Sequence, residues 1–349
     1  MFTRVVQIDE AERSKDLLYE AGEIIRAGGL VAFPTETVYG LGGDALNPAS
    51  SRKIYEAKGR PSDNPLIVHI ADMEALPAIV KCVPEAAKKL AEAFWPGPLT
   101  MIMEKSELVP EETTGGLETV AVRMPSDAVA LAFIRAAGGY VAAPSANRSG
   151  RPSPTRAEYV AQDLDGRIEM ILDGGDATLG LESTIVDLTV EPPAILRPGF
   201  ITGEMLRQKL GHVEEDETLF RADSGQAPKA PGMKYRHYAP QGELVIVRGP
   251  AEAVTAYISG ELADGRLHSK KTGVIATDET VDQYEADVPR SVGKRADAAA
   301  AAKGLYRILR EFDDEGVELI YSESFDGEGV LQAVMNRLLK AAGHRVINV

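Results

Sequence analysis

Cysteine and tryptophan are almost absent from this 349-residue sequence, which contains one of each. A single cysteine, Cys82, excludes an internal disulfide and any site built from several thiolates, and it is typical of a reducing compartment. The most apolar stretch, 128–146, is interrupted by Arg135 and two glycines, so it does not predict a membrane span. The N-terminal segment holds four acidic residues before position 17 and no basic-then-apolar signal pattern. We therefore expect a soluble, cytoplasmic protein with no membrane partner.

Positive charge is also scarce, because 38 Lys and Arg residues face 53 Asp and Glu residues, for a net charge of −15. Proteins that bind nucleic acid on their own usually present a basic surface, since neutralisation of phosphates supplies most of the affinity. We therefore expect no stable binding of nucleic acid, although a local basic pocket is compatible with this balance.

The common motifs for nucleotides, zinc and ester hydrolysis are missing from the chain. There is no G-x-x-x-x-G-K-[ST] loop, no H-E-x-x-H sequence and no G-x-S-x-G elbow. Residues 40–45 formally fit the dinucleotide fingerprint G-x-G-x-x-G/A, but six residues separate them from the preceding predicted strand. Because that fingerprint must lie in the turn that follows the strand, we reject this interpretation.

Short apolar runs alternate with helical patterns along most of the chain, which predicts two α/β domains. Residues 1–200 contain at least seven predicted strands, several of them consecutive, so we expect a twisted mixed sheet with helices. Residues 201–242 include four consecutive acids and a stretch rich in Gly, Pro and Ala, which predicts a linker. Residues 243–349 have the order β-α-β-α-β-α, which predicts a smaller Rossmann-like α/β domain.

Polar clusters adjoin three of the predicted strands in the first domain. PTETVYGLG (34–42) places hydroxyls and a carboxylate after a strand, where ligand sites of α/β sheets form, although a turn held by Thr side chains explains it as well. KGRPSDNPLIVH (58–69) sets two cations beside a glycine, where they can clamp phosphate oxygens; a solvated basic turn and a core histidine are the alternatives. PSANRSGRPS (144–153) combines hydroxyls and guanidinium groups, which suit a phosphate cradle.

Seven motifs follow one another in a specific order: PTETVYGLG, KGRPSDNPLIVHI, WPGPLT, VAVRMP, APSANRSGRPSPT, GLESTIVDL and LRPG. In this order they resemble the YrdC-like domain of L-threonylcarbamoyladenylate synthases. The segment APGMKYRHYAP (230–240) is similar to the linker of the long, two-domain form of these enzymes. The resemblance covers essentially the whole chain. It implies a YrdC-like catalytic domain (1–200), a linker that covers the active site (201–242) and a C-terminal domain (243–349).

The family synthesises threonylcarbamoyl-AMP from L-threonine, bicarbonate or CO2, and ATP, and releases pyrophosphate. The resemblance therefore implies a nucleotidyltransferase whose Mg²⁺ arrives on the phosphates of ATP, with no metal ligand from the protein. It also implies that the product passes to a machinery that modifies adenosine 37 of tRNAs reading ANN codons. Two alternatives stay open: a module that binds RNA, and another acyl-adenylate or carbamoyl-transfer enzyme with the same domain.

The resemblance further assigns roles to individual residues. The K-x-R and S-x-N signature, expected to be catalytic, is matched by Lys58, Arg60, Ser145 and Asn147. The residues expected to contact L-threonine are Thr37, His69, Arg123, Ala143 and Ser183. The residues expected to bind ATP are Arg60, Asn64, Thr119, Ser145, Ser153, Arg197 and Tyr235.

Overall fold

The computed structural model describes residues 2–216, 219 and 238–349. These residues fall into two compact units. The first contains residues 2–149, 153–216 and 219, and the second contains residues 150–152 and 238–349. No helix in the described part of the chain is long and apolar enough to cross a membrane.

The first unit is a large sheet with helices. Its described strands are β1 (Arg4–Gln7), β2 (Val31–Phe33), β3 (Gly40–Asp44), β4 (Ile67–His69), β5 (Leu99–Glu104), β6 (Thr119–Arg123), β7 (Val141–Ala142), β8 (Met170–Asp173), β9 (Thr184–Asp187), β10 (Ala194–Arg197) and β11 (Glu214–Glu215). Its described helices are α1 (Lys15–Arg26), α2 (Pro48–Lys58), α3 (Leu76–Ile79), α4 (Glu85–Phe94), α5 (Glu111–Thr114), α6 (Ala128–Ala136), α7 (Ala157–Leu164) and α8 (Gly203–Leu210).

These strands form one sheet in the order β1-β8-β2-β3-β7-β4-β6-β5-β9-β10-β11. Parallel and antiparallel neighbours are mixed: β4 runs parallel to β6, for example, whereas β5 and β7 run antiparallel to β6 and β4. The predicted mixed sheet is therefore confirmed. Parallel pairs such as β1 and β8 join segments far apart in the chain, with helices in the intervening sequence.

The central strands bury both of their faces, and this positions the candidate site. Alternate residues of a strand point to opposite faces of the sheet. On one face Val68 and Val122 enter the main core of the unit. On the other face Ile67 and Ala121 belong to a smaller apolar cluster, which also contains Ile102, Ile185 and Leu196. Polar residues two positions further along β4 and β6 therefore lie on the same face as this smaller cluster.

The second unit is a smaller parallel sheet. Its described strands are β12 (Glu243–Arg248), β13 (Thr272–Ala276), β14 (Val288–Ser291), β15 (Leu319–Glu323) and β16 (Val346–Asn348), in the order β14-β13-β15-β12-β16. Its helices are α9 (Ala251–Leu267), α10 (Ala298–Asp314) and α11 (Val330–Ala341). All four neighbouring pairs are parallel, so the Rossmann-like prediction is confirmed. The sequence pattern missed β14 and β16, which are short and partly exposed.

The predicted linker, 201–242, is partly folded at its start. Helix α8 begins after Thr202, whose side chain accepts a hydrogen bond from the Met205 amide, and Leu206 packs into the main core. Strand β11 then pairs with β10. The range predicted as a linker therefore begins with a helix and a short paired strand. Residues 217–218 and 220–237 lie outside the described residues, so the covering of the active site by the linker stays a prediction.

Strand β3 begins within the polar segment 34–42, where the sequence analysis predicted no strand. A Cβ on Gly42 would lie 2.9 Å from Cγ1 of Val141 and 3.1 Å from the carbonyl oxygen of Val31. Glycine is therefore required here by the close approach of β2 and β7. This dependence on distant neighbours explains why a glycine-rich segment, unfavourable for strands by composition, forms one.

Gly42→Ala is expected to lower the free energy of unfolding by about 1–3 kcal/mol, because the added methyl overpacks the sheet. Denaturant unfolding of the first unit measures this loss. The matched control is Gly260→Ala, in the middle of α9, where a Cβ meets no atom within 4 Å. That change should stabilise the second unit by roughly 0.5–1 kcal/mol, because alanine is the better helix former. Equal effects of the two substitutions would contradict the close approach.

Candidate active site

The residues expected to contact L-threonine converge on the face of the smaller apolar cluster. His69 and Arg123 end β4 and β6 and are direct partners in the ladder between them. Thr100 of β5 is the partner of Arg123 on its other side. Ser183 comes directly before β9, and its hydroxyl lies 2.7 Å from that of Thr100. The pairing of short strands thus assembles side chains from four segments.

Arg123 is the centre of a buried polar cluster. Its side chain is only 5% exposed, and Nη1 donates to Oγ1 of Thr37 at 2.8 Å. Nη2 lies 2.8 Å from Oε1 of Glu36, whose side chain is 8% exposed. The hydroxyls of Thr37 and Thr35 are 2.8 Å apart. A buried guanidinium beside a hydroxyl is suited to a small ligand with a carboxylate.

His69 is a neutral member of this cluster. Burial, with the charge of Arg123 as a second cause, lowers the pKa of His69 to about 3. Its Nδ1 lies 3.1 Å from the carbonyl oxygen of Ile67, which can only accept, so Nδ1 carries the ring proton. The ring also meets Phe33 edge-on, with centroids 6.0 Å apart. At neutral pH this residue therefore adds no positive charge for a carboxylate.

Acidification is expected to destabilise the wild-type protein more than a His69→Gln variant. In the unfolded chain this histidine titrates near pH 6.5, so below that pH the unfolded state binds more protons and stability falls. Between pH 7 and pH 5 the extra loss should be roughly 1–2 kcal/mol. Denaturant unfolding of both proteins at both pH values measures it. An equal loss of stability in the wild type and in His69→Gln would show that His69 is not held neutral.

Lys58 joins two of the polar motifs. It is the last residue of α2 and is only 2% exposed, so a solvated basic turn is wrong for it. Its Nζ donates to the carbonyl oxygens of Ser145 and, at 2.6 Å, Asn147. Gly59 follows in the left-handed conformation (φ 62°), which ends the helix. The ammonium group thus ties the segment 58–69 to the segment 144–153.

Arg60 is also buried, so the solvated turn is wrong for this residue as well. Its Nε and Nη2 donate to the carbonyl oxygens of Asn64 and Pro65 at 3.3 and 3.2 Å. The side chain of Asn64 is buried, and its Oδ1 has no hydrogen-bond partner among the described residues. A buried amide oxygen in this state can accept a hydrogen bond from a ligand.

The serine-rich segment has its own hydrogen bonds. Oγ of Ser145 donates to Oδ1 of Asn147 at 2.5 Å, and Nδ2 of Asn147 donates to the carbonyl oxygen of Arg148 at 2.8 Å. Ser153 is fully buried and donates to Oε1 of Glu182 at 2.6 Å. The hydroxyls expected to bind ATP are therefore fixed in orientation by neighbouring side chains.

Two residues expected to contact different substrates, Ser183 and Arg197, are in direct contact. Arg197 donates from Nε to the carbonyl oxygen of Ser183 at 3.0 Å and from Nη2 to its Oγ at 3.1 Å.

Thr119 and Arg123 share one face of β6 and are four residues apart, which corresponds to roughly 13 Å along a strand. The amide of Ala143 donates to the carbonyl oxygen of Ile67 at 2.8 Å, beside His69. Tyr235 lies outside the described residues.

Comparisons with known proteins match both parts of the chain. The Sua5/YciO/YrdC family model, described as telomere recombination, matches residues 23–199, and the threonylcarbamoyl-AMP synthase C-terminal domain model matches residues 201–343. The threonylcarbamoyl-AMP synthase of Bacillus subtilis is 48% identical over 97% of this chain and 96% of its own length. The enzyme of the same name from Pyrococcus abyssi is 46% identical over 99% of this chain and 100% of its own length.

The chain belongs to the threonylcarbamoyl-AMP synthase family. A solved structure of a family member, P. abyssi Sua5 complexed with L-threonine, matches with a TM-score of 0.92 and 45% identity, covering 100% of both chains. Another, a doubly substituted form of P. abyssi Sua5, matches with a TM-score of 0.93 and 44% identity over 99% of this chain and 98% of its own. The resemblance inferred from seven motifs is therefore confirmed, together with the two-domain α/β fold. The roles of individual residues stay predictions.

In this member of the synthase family, sequence reasoning assigned no role to three polar residues of the site. Glu36 lies beside Arg123, Thr100 beside Ser183, and Glu182 beside Ser153. Each belongs to one of the seven motifs, so the motif strings held a signal for them. Only the folded chain shows which side chain each of them meets.

Proposed function

We propose that this protein synthesises threonylcarbamoyl-AMP from L-threonine, bicarbonate or CO2, and ATP, with release of pyrophosphate. The observation that carries the proposal is the buried Arg123, which donates to the Thr37 hydroxyl on the sheet face that holds the residues expected to contact threonine. The relative from P. abyssi, crystallised with L-threonine, supports it. In this proposal Arg123 pairs with the substrate carboxylate, and Thr37, His69, Ala143 and Ser183 surround the rest of threonine.

The proposed chemistry needs alignment more than covalent help from the protein. The nitrogen of threonine forms a bond to the carbon of CO2 as its ammonium group gives up two protons to solvent, which leaves a carbamate with one N–H. A carbamate oxygen then forms a bond to the α-phosphorus of ATP, and pyrophosphate leaves with the electrons of the broken P–O bond. Such a step is accelerated by positioning the reactants and by neutralising the developing negative charge.

Lys58 and Arg60 supply this neutralisation in our proposal. Their positive charges are buried, and a charge in a poorly solvated site acts more strongly on a ligand than one in water. Lys58 also fixes the carbonyl groups of Ser145 and Asn147, so it orients the loop that is expected to hold phosphates. Removing Lys58 should therefore disturb both the charge and the shape of the site.

The nucleotide is proposed to lie on residues Arg60, Asn64, Thr119, Ser145, Ser153, Arg197 and Tyr235. The unpartnered Oδ1 of Asn64 is one acceptor that a nucleotide amino group could use. ATP would enter with Mg²⁺ on its phosphates, and the ion supplies neutralisation of their charge. The described residues contain no group of three or more His, Cys, Asp or Glu that could hold a metal ion.

The biological setting is proposed from the family. The product would pass to a tRNA-modifying machinery that places the threonylcarbamoyl group on adenosine 37 of tRNAs reading ANN codons. The synthase itself would act in the cytoplasm and would not hold tRNA stably. An RNA-binding module would instead bind tRNA tightly without ATP, and its affinity for tRNA would fall steeply with increasing salt concentration.

One experiment tests the proposal directly. The full-length protein is incubated with ATP, Mg²⁺, bicarbonate and one amino acid at a time, and pyrophosphate and the adenylate are measured, the latter by mass. We expect pyrophosphate and threonylcarbamoyl-AMP with L-threonine, and neither without bicarbonate. Product formation with a different amino acid in preference to threonine would reject the proposed substrate.

A further inference from the structure

Glu36 presents two buried carboxylate oxygens to the proposed threonine site. Neither Oε1 nor Oε2 has an aligned hydrogen-bond donor among the described residues. Oε1 lies 2.8 Å from Nη2 of Arg123, yet this nitrogen also makes no aligned hydrogen bond to a described residue. The two groups are therefore held together by charge rather than by a directed hydrogen bond.

The backbone, and not the carboxylate, fixes Glu36 in this position. Its carbonyl oxygen accepts hydrogen bonds from the amide of Leu179 at 2.8 Å and from Oγ1 of Thr178 at 3.3 Å. Burying a charge is costly, and an ion pair recovers that cost only when hydrogen bonds satisfy its remaining atoms. This arrangement is poor for stability and suitable for a ligand that supplies the missing donors.

An α-amino acid carries the complementary groups. Its carboxylate and ammonium are attached to one carbon, so a site for both needs a cation and an anion close together. Arg123 is the cation, and Glu36 lies beside it. An ammonium group has three N–H donors and no acceptor, which suits the unpartnered oxygens of a carboxylate.

We propose that Glu36 binds the α-ammonium group of L-threonine while Arg123 binds its carboxylate. This inference rests on the proposed function, because it takes threonine as the ligand. It gives Glu36 a role in specificity: the site accepts an amino acid and rejects a hydroxy acid of the same shape that lacks the amine.

The competing role for Glu36 is that of a counter-ion that holds Arg123 in place. The two roles differ in which ligands they affect. A counter-ion acts through Arg123, so its loss weakens every ligand that carries a carboxylate. A residue that binds the ammonium group affects only ligands that carry this group. L-Threonine and 3-hydroxybutanoate of matching configuration at the hydroxyl-bearing carbon differ only in the amine.

The test is calorimetric titration of the wild-type protein and of Glu36→Gln with these two ligands. Glu36→Gln should lower the affinity for L-threonine by on the order of 10- to 100-fold, which corresponds to the loss of a charge-assisted hydrogen bond. The affinity for 3-hydroxybutanoate should not change. In the wild type, 3-hydroxybutanoate should bind more weakly than threonine by a similar factor.

Asp127→Asn is the matched control, because Asp127 is another carboxylate near this pair. Its charge interacts with those of Glu36 and Arg123, and its side chain caps α6 by accepting from the Ala130 amide at 2.9 Å. Asparagine caps helices equally well, so the fold should be kept. The preference for threonine over 3-hydroxybutanoate should be the same as in the wild type.

Equal weakening of both ligands by Glu36→Gln would overturn the inference in favour of the counter-ion role, and an unchanged affinity for threonine would also overturn it. Glu36→Asp keeps the charge but withdraws it by one methylene. If Glu36→Gln does not fold, Glu36→Asp gives the same comparison, with a loss expected for threonine alone. A wild-type protein that does not bind threonine would instead reject the proposed function, and this is visible before any variant is made.

Discussion

Lys58→Met is expected to lower synthase activity by about 100-fold or more and to destabilise the first unit as well. The ammonium group is buried and donates to the carbonyl oxygens of Ser145 and Asn147. Methionine fills a similar space without charge or donors. Each carbonyl that loses its partner in a buried site costs about 1–3 kcal/mol, so the melting temperature should fall measurably.

The measurement is pyrophosphate release with threonine and bicarbonate, made at a temperature at which the variant is folded, beside thermal melts. Lys88→Ala is the control, since the Lys88 side chain on α4 is 61% exposed and forms a surface ion pair with Glu85. It should change stability by less than about 0.5 kcal/mol and leave activity unchanged. If Lys58→Met melts early but keeps its kcat/KM below the melting temperature, Lys58 is a structural tie and does not act on the substrates.

The sequence predicts the strands that are continuous apolar runs and misses several strands that are not. Strands β4 and β6 were expected within one residue of each end, because strands buried on both faces appear as continuous apolar runs. Strand β1 was missed: it is mostly exposed, and its partner β8 lies more than 160 residues further along the chain. Strand β3 was missed for a related reason, since the approach of Val141 makes glycine necessary there.

In the site, too, the sequence predicts what depends on local patterns and misses what depends on distant segments. The motif strings indicated which segments carry the chemistry, and strand pairing brings His69, Arg123 and Ser183 to one face. They did not indicate the partners of the side chains. Lys58 meets carbonyl groups almost 90 residues away, and Arg197 holds Ser183 although the two were assigned to different substrates. Such partners depend on the sheet order, which no local pattern encodes.

L-Threonine is expected to exceed L-valine in kcat/KM by on the order of 10⁴-fold. The two amino acids have nearly the same shape, and only threonine offers a hydroxyl. The proposed threonine site is lined by buried hydroxyls, among them those of Thr37 and Ser183. When the ligand lacks a hydroxyl, buried polar groups of the site lose a partner, and this is penalised far more than a missing methyl group.

L-Serine and L-2-aminobutyrate separate the two contributions, because serine keeps the hydroxyl and lacks the methyl, whereas 2-aminobutyrate keeps the methyl and lacks the hydroxyl. The kcat/KM for serine should be roughly 10- to 200-fold lower than that for threonine, as expected for the loss of one methyl group from an apolar pocket. The kcat/KM for 2-aminobutyrate should be about as low as that for valine. The measurement is pyrophosphate release at several concentrations of each amino acid, with bicarbonate and ATP fixed. Equal turnover of valine and threonine would show that the hydroxyls of Thr37 and Ser183 serve the fold alone, through their bonds to Arg123 and Thr100. The same domain would then be making the adenylate of a different amino acid.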